Sequence, residues 1–489
     1  MRGRGGGEER AGGDGWGRWL LLFFLILLCP VVQAQPPLVV ASLSTQQANA
    51  SLKLKGAFGY VHTATGTLPP PSAEPFEALL ARAERGEIRL AVVQEPLKGL
   101  PKIRRLRLLE KGIANGSAVT SPSTRTLGLV TVADLMGEGR PIEIVRGGLG
   151  QMRYFGARLE GLESSKVPLL ILWASLAGMG LGLAIAALRW QELQPRALDA
   201  LAVATTGTVS LLLAMIPPHP LEYIFFVGIT VLLVAGSRPE KHPQALPNLL
   251  LVLVLLAILD TIFHWGLVAS SPLSGYYGSG IRFYGIGNEY MGLLIGAALM
   301  SVPKKWLGWV GAGIVLLLGL PMLGANAGGA MAACVAFFPP LKGKRWRVLL
   351  PFLVVTALAL LDRVQPSVAQ SHIGQAAGQG PSAWGEIILR KLAMNARLTV
   401  AGPTLIAMVA VGVGGWQLKG LFTRLDEELQ GRVLQGLWGA GAAIVFNDSG
   451  TVAALLLLAP VIVTCLDRAL RLTENKVSSG ILTRGAERL

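Results

Sequence analysis

From Pro168 to Leu466 the chain repeats one pattern. Apolar runs of about twenty residues, the length that crosses about 30 Å of hydrocarbon as a helix, alternate with short polar breaks. The runs place candidate spans at 168–188, 197–216, 221–236, 246–267, 288–302, 306–323, 327–340, 348–362, 398–417, 434–446 and 451–466. Alternate breaks are basic: Arg189 and Arg196, Arg238 and Lys241, Lys304 and Lys305, Lys342 to Arg347, then Lys419, Arg424 and Arg432. The breaks at 217–220, 324–326 and 447–450 hold no Lys or Arg. Because Lys and Arg collect on the cytoplasmic side, the pattern predicts an α-helical polytopic membrane protein of about eleven spans, with a transmembrane domain over 167–467. Arg468 and Arg471 assign the 468–489 tail to the cytoplasm. A second arrangement stays open for 434–466, where a dip at 446–450 would make a re-entrant element buried in protein.

Upstream the pattern changes. Arg2, Arg4, Arg10 and Arg18 precede an apolar run from Trp19 to Leu28 and the small residue Ala34, the order of a secretory signal. Residues 1–34 are expected to be a signal peptide or an uncleaved anchor, and 35–166 to be exported. Within that segment Ile88 to Val93 reads as a buried strand, Phe76, Leu79 and Leu80 have helical spacing within 75–85, and Leu127 to Asp134 reads as a second strand running into a turn. Pro69 to Pro71 form a rigid break. A small extracytoplasmic α/β domain is expected.

Composition narrows the classes. A mean hydropathy of +0.52, with 52% hydrophobic and 15% charged residues, excludes an ordinary soluble chain. The net charge of +15 sits in short loops and the tail without a nucleic-acid reading motif, so no nucleic acid is expected. Membrane lipids are the partner those cations suit. Cys29, Cys334 and Cys465 all lie in apolar runs, so no disulfide framework or zinc site is readable. No cofactor is implied.

Four polar motifs fall on the predicted outer side: 282–290 (RFYGIGNEY), 324–329 (GANAGG), 371–374 (SHIG) and 447–450 (NDSG). Polar sequence beside hydrocarbon is costly and usually serves a pathway or site. Gly285 and Gly287 allow close backbone approach, with Arg282 and Tyr284 beside them, while Asn288 and Glu289 open a helix whose N-terminal amides favour anions. The structural alternative is a tight loop with Arg282 paired to Glu289. Gly324 to Gly329 suit close helix packing, and Asn326 is a functional contact or an interhelical hydrogen bond. Asp448, beside Asn447, must be solvated, paired or protonated. Asp260 and His264, at i and i+4, are a proton-sharing or interhelical hydrogen-bonding pair. The 363–397 loop holds His372, Glu386, Arg390, Lys391, Asn395 and Arg397, and 384–398 has the spacing of an interfacial amphipathic helix, whose cations would meet a diphosphate-linked substrate or simply anchor the loop to lipid headgroups.

The segments 281–292, 324–329 and 446–452 resemble those of bacterial envelope membrane proteins in which an exported alkaline-phosphatase-superfamily domain precedes a multi-span region with RFYGIGNEY-like and NDSG-like motifs. In the exported part, Gly56 to Gly66 resembles that family's "GAVGLMNTRTAG" segment, and 116–134 the stretch near the domain's end. The resemblance implies a location in the bacterial cytoplasmic (inner) membrane. A two-metal phosphatase needs several Asp and His ligands, yet 35–166 contain only His62 and Asp134. The exported part is expected to be a shortened, metal-free remnant without phosphatase activity.

Three functions are open. The first is binding of a lipid-linked or anionic glycan precursor at the outer face, with glycan polymerisation or ligation as the candidate reaction. Arg282, Arg390 and Arg397 would grip phosphate, Glu289, His372 or Asp448 would act as base, and Tyr284, Gly285, Gly287, Asn288, Asn326 and Asn447 would line the site. The second is a transporter or flippase, on the strength of broken spans. The third is a non-catalytic scaffold docking an envelope protein through 35–166.

Overall fold

The computed structural model describes residues 38–42, 57–63, 67–68, 70, 72–97, 100–114, 117–136, 142–217, 220–274, 276–279, 283–341, 343–363 and 381–478. The expected signal segment over 1–34, the candidates Arg282 and His372, and residues 479–489 lie outside the described residues.

The chain forms a small sheet domain on a large helical body. The strands are β1 (Leu38–Ser42), β2 (Ala57–His62), β3 (Arg89–Leu97), β4 (Leu100–Leu109), β5 (Ser117–Thr120), β6 (Leu129–Thr131) and β7 (Glu143–Val145). Their order is β1-β3-β4-β2-β5-β7, with β6 also beside β2. Strand β3 is parallel to β1 and antiparallel to β4. It is buried on both faces: Leu90 and Val92 pack with Leu79 and Ala83 of helix α1 (Phe76–Arg85), and Ala91 and Val93 with Leu106, Leu108 and Val119. Two-faced burial explains why IRLAVV is a continuous apolar run.

The expected strand over 127–134 is cut short. Thr131 Oγ1 accepts from Asp134 N at 3.1 Å and Asp134 Oδ2 from Thr131 N at 3.0 Å, a reciprocal cap that ends β6 and starts α2 (Val132–Met136). Asp134 also accepts from Ser121 and Ser123, and His62 Nε2 lies 3.1 Å from Tyr277 O.

Helix α3 (Leu149–Ala187) begins well before the first expected span. Its early turns lie on the sheet, with Phe155 edge-on to both Tyr60 and Tyr277. The body continues with α4 (Gln194–Leu213), α5 (Glu222–Ser237), α6 (Ala245–Phe263), short α7 (Leu267–Ser270) and α8 (Tyr276–Ser279), then α9 (Asn288–Ser301), α10 (Lys304–Gly319), α11 (Ala327–Phe337), α12 (Leu350–Arg363), α13 (Pro381–Val400), α14 (Gly402–Phe422), α15 (Glu427–Phe446) and α16 (Gly450–Ser478).

Among the described residues four helices are long and apolar enough to cross a membrane, or five if the pair Leu389–Val400 and Thr404–Val413, bent by 75°, forms one span. The other apolar segments include short helices. Helix α9, for example, has 14 residues, about 21 Å by helical rise. Everything from Tyr290 to Met300 in it is buried, so it meets other helices rather than the surroundings. Around the perimeter Ile224, Leu232, Trp309, Leu353, Ile406 and Trp416 are exposed, an apolar belt consistent with a membrane protein.

The two ends of the body differ. At one, the sheet domain meets the 264–287 and 321–326 segments through Thr126, which shares a hydrogen bond with the Tyr277 hydroxyl at 3.3 Å, and Arg125, which donates to Pro321 O at 3.2 Å. Burial pushes the Tyr277 pKa up, so it serves there as a neutral hydroxyl. At the other end the basic turns gather: Arg471 donates to Pro239 O at 2.7 Å, Arg432 to Val302 O at 2.8 Å, and Gln194 to Thr473.

Candidate functional site

The break between α15 and α16 is built by one side chain. A helix end leaves unsatisfied carbonyls and a helix start leaves unsatisfied amides. Asn395 of α13 answers both: its Nδ2 donates to Ile444 O at 3.0 Å and Asn447 O at 2.8 Å, while its Oδ1 accepts from Thr451 N at 3.0 Å. One turn earlier on α13, Lys391 Nζ donates to Phe446 O. Arg390 Nη2 lies 3.8 Å from Asp448 Oδ2, both side chains about half exposed. The other carboxylate oxygen, Asp448 Oδ1, is buried without a hydrogen-bond partner among the described residues.

The loop before α9 joins this cluster. Gly285 has φ +81°, and a Cβ there would fall on Gly324 O, so only glycine lets the two loops touch. Ile286 N then donates to Gly324 O at 2.9 Å. Asn326 caps α11 by accepting from Gly329 N at 2.7 Å and donates to Ile286 O at 3.0 Å and Asn288 Oδ1 at 3.2 Å. Asn288 Nδ2 reaches Ser449 Oγ at 2.8 Å. Asn447, 3% exposed, turns its own amide back onto Ala443 O.

Five of the residues singled out in the sequence thus belong to one polar cluster: Asn288, Asn326, Asn447, Asp448 and Arg390. Others lie elsewhere. Glu289 accepts from Tyr276 OH at 3.0 Å, the same tyrosine that fills the space beside Gly287. Tyr284 and Gly285 line a separate cavity. Arg397 is exposed farther along α13. Lys391, Asn395, Ser449 and Thr451 complete the cluster; Lys391 and Asn395 belong to the polar 363–397 loop and Ser449 to the NDSG motif, while nothing in the sequence pattern marks Thr451.

Asp260 and His264 do not form the expected pair on one helix face. His264 has φ +54° and ends α6, so it leaves the helical register. Asp260 accepts from Leu267 N and Val268 N, each at 2.8 Å, and thereby caps α7.

An apolar groove of about 540 Å³ runs along α15, lined by Val335, Val348, Leu434, Trp438, Val445 and Phe446. It reaches the cluster at Phe446, whose ring sits edge-on to Phe352 and whose carbonyl holds Lys391. Chemically the arrangement offers two cations and one half-exposed carboxylate at the end of an apolar channel.

Asn326→Ala removes a helix cap and two donors from a site only 5% exposed. Its expected cost is about 2–3 kcal/mol, read as a lower melting temperature of the purified protein in detergent. Unchanged melting would contradict these contacts. Comparison with protein families, with curated proteins and with solved structures finds no match, so the functional reading rests on the chain's own residues.

Proposed function

We propose that the protein crosses the bacterial cytoplasmic membrane about eleven times, with the sheet domain outside, and binds a lipid-linked anionic glycan precursor at that face. The observation that carries this reading is the meeting of the apolar groove with Lys391, Arg390 and Asp448 at Phe446. A lipid tail would lie along α15 and its phosphate against the two cations, with Asp448 placed as a base for glycan transfer. The resemblance to bacterial envelope proteins fits the same location.

Binding of a polyprenyl phosphate and of the parent polyprenol to the full chain in nanodiscs tests the reading. The phosphate is expected to bind at least about tenfold tighter, the scale of one charge-assisted hydrogen bond. Equal binding of the two lipids would overturn it.

The orientation has its own test. In a variant freed of its native cysteines, a cysteine at Glu110 of the sheet domain is expected to react with an impermeant maleimide in intact cells, and one at Lys344 is not. The opposite result would invert the topology.

A second reading, transport, draws on the 75° bend after Val400 and the α15–α16 break, since broken helices mark the binding sites of transporters. Movement of the polyprenyl phosphate across reconstituted vesicles separates it from retention at one face.

A further inference from the structure

The apolar groove along α15 meets Lys391 at Phe446 and follows the helix back to Leu434, a path of about 18 Å by helical rise. Its wall also includes Pro340 and Val348, which bracket the basic turn Lys344, Arg345, Trp346 and Arg347. Helix α12 runs from that turn toward the outer end, because Leu358 lies against Gly319, just before the 321–326 segment that meets the sheet domain. The turn therefore lies inward of Phe446. We propose that it is a second lipid-phosphate site, at the cytoplasmic end of the groove, from which a lipid-linked anion of the inner leaflet passes along the groove to Lys391. The proposal rests on the reading of the groove as the seat of a lipid tail.

The charge of the turn is not balanced by its surroundings. No Asp or Glu occurs in the sequence from Tyr290 to Leu361. Lys344 and Arg345 are exposed and Arg347 is half-buried, and none of the three pairs with a carboxylate among the described residues. At the start of α15, Asp426 is engaged in capping the helix and Glu428 in pairing with Arg432 at 2.6 Å. Trp346, exposed between the two arginines, is the kind of side chain that settles at headgroup level. A topological signal needs cations on this side of the membrane, but it does not need them beside a groove. Here guanidiniums suited to phosphate adjoin an apolar wall suited to the tail that carries it.

The helices beside the groove are short. Helix α11 has 11 residues, and α12, with 14, already carries Asp362 and Arg363 at its end. They rise about 17 and 21 Å, against about 30 Å of hydrocarbon. A bilayer thins to match a short hydrophobic surface, so the two headgroup levels approach each other at the groove. Thinning lowers the cost of carrying a charge between them, and a cation at each end receives it.

Vesicles holding the full chain and polyprenyl phosphate labelled at phosphorus test this, with a phosphatase added outside to release the label it can reach. Without protein only the outer-leaflet label is released; with it, release is expected to run to completion. Lys344→Gln, Arg345→Gln and Arg347→Gln together should slow release of the inner fraction at least about tenfold, the scale of one charge-assisted hydrogen bond, while the variant in nanodiscs still prefers polyprenyl phosphate to polyprenol. Because cations also set topology, a second variant leaves every charge in place. Gly441 lines the groove and nothing lies within 4 Å of a Cβ added there, so Gly441→Trp obstructs the path and should slow crossing as much. Release confined to the outer leaflet in the parent, or parental crossing in either variant, would overturn the proposal. If polyprenyl phosphate binds no better than polyprenol, the outer-face reading fails too; preferential binding without crossing removes the inner site alone.

Discussion

Leucine at Gly296 is expected to leave almost no folded protein, although the substitution adds apolar surface to an apolar helix. Gly292 and Gly296 are four residues apart and share one face of α9. A Cβ at either position would fall on backbone of α16, at Ala453 O and at Leu457 O respectively. Backbone oxygens of a packed helix cannot rotate aside as a side chain can, so α9 and α16 would have to separate. Overpacking a core costs about 1–3 kcal/mol where side chains can adjust. A clash with backbone exceeds that and consumes much of a total stability of about 5–15 kcal/mol. The control is Gly308→Leu on α10, where nothing lies within 4 Å of the added Cβ and little change is expected. Size-exclusion profiles and melting curves of the two variants decide the matter; a Gly296→Leu protein that melts with the parent would mean the helices are not in contact there. The same packing sets the register that brings Asn288, at the start of α9, to Ser449, just before α16, so the variant should also dismantle the polar cluster.

What is legible in the sequence follows from contrast. Long apolar runs stand out against polar breaks, so the helical class and the positions of most helices can be read from the residues alone. The α1 helix and the core of β3 are legible for the same reason. Strand β4 is not, because Arg104, Arg105 and Arg107 interrupt its apolar pattern. In the fold Arg107 is 6% exposed with its guanidinium 4.5 Å from the Phe58 ring centroid, so a charged residue occupies an inward position. Helix length is also hidden. Hydropathy marks the run 288–302, but Val302 and Pro303 end α9 at Ser301, and its burial among other helices removes the need to match a bilayer alone. Asn447 and Asp448 can be picked out because they interrupt apolar sequence. Asn395 and Lys391 can be named only as members of the polar 363–397 loop, where one amide or lysine does not stand out from its neighbours. Their importance comes from contacts across more than fifty positions of sequence, which only the fold reveals.

Lys391→Met is expected to lower affinity for polyprenyl phosphate by about tenfold to a hundredfold, the scale of losing one charge-assisted hydrogen bond, while the protein still folds. Methionine keeps the apolar stem of a residue that is only partly exposed and gives up the donation to Phe446 O. Arg390→Gln should cost less, because its pair with Asp448 is half exposed and screened. The informative variant is Asp448→Asn. If the carboxylate only balances Arg390, removing its charge strengthens phosphate binding and leaves the biological activity in place. If it is the base, binding again strengthens or holds, because a negative neighbour of the phosphate is gone, but turnover falls steeply since an amide cannot take a proton. Binding and turnover therefore separate in one substitution that scarcely changes shape. The expected result is tighter binding with lost activity in the native cell, measured with nanodisc affinity and complementation side by side. Intact activity, whatever the change in binding, would exclude Asp448 as base and, with it, the glycan-transfer role placed at this end of the groove.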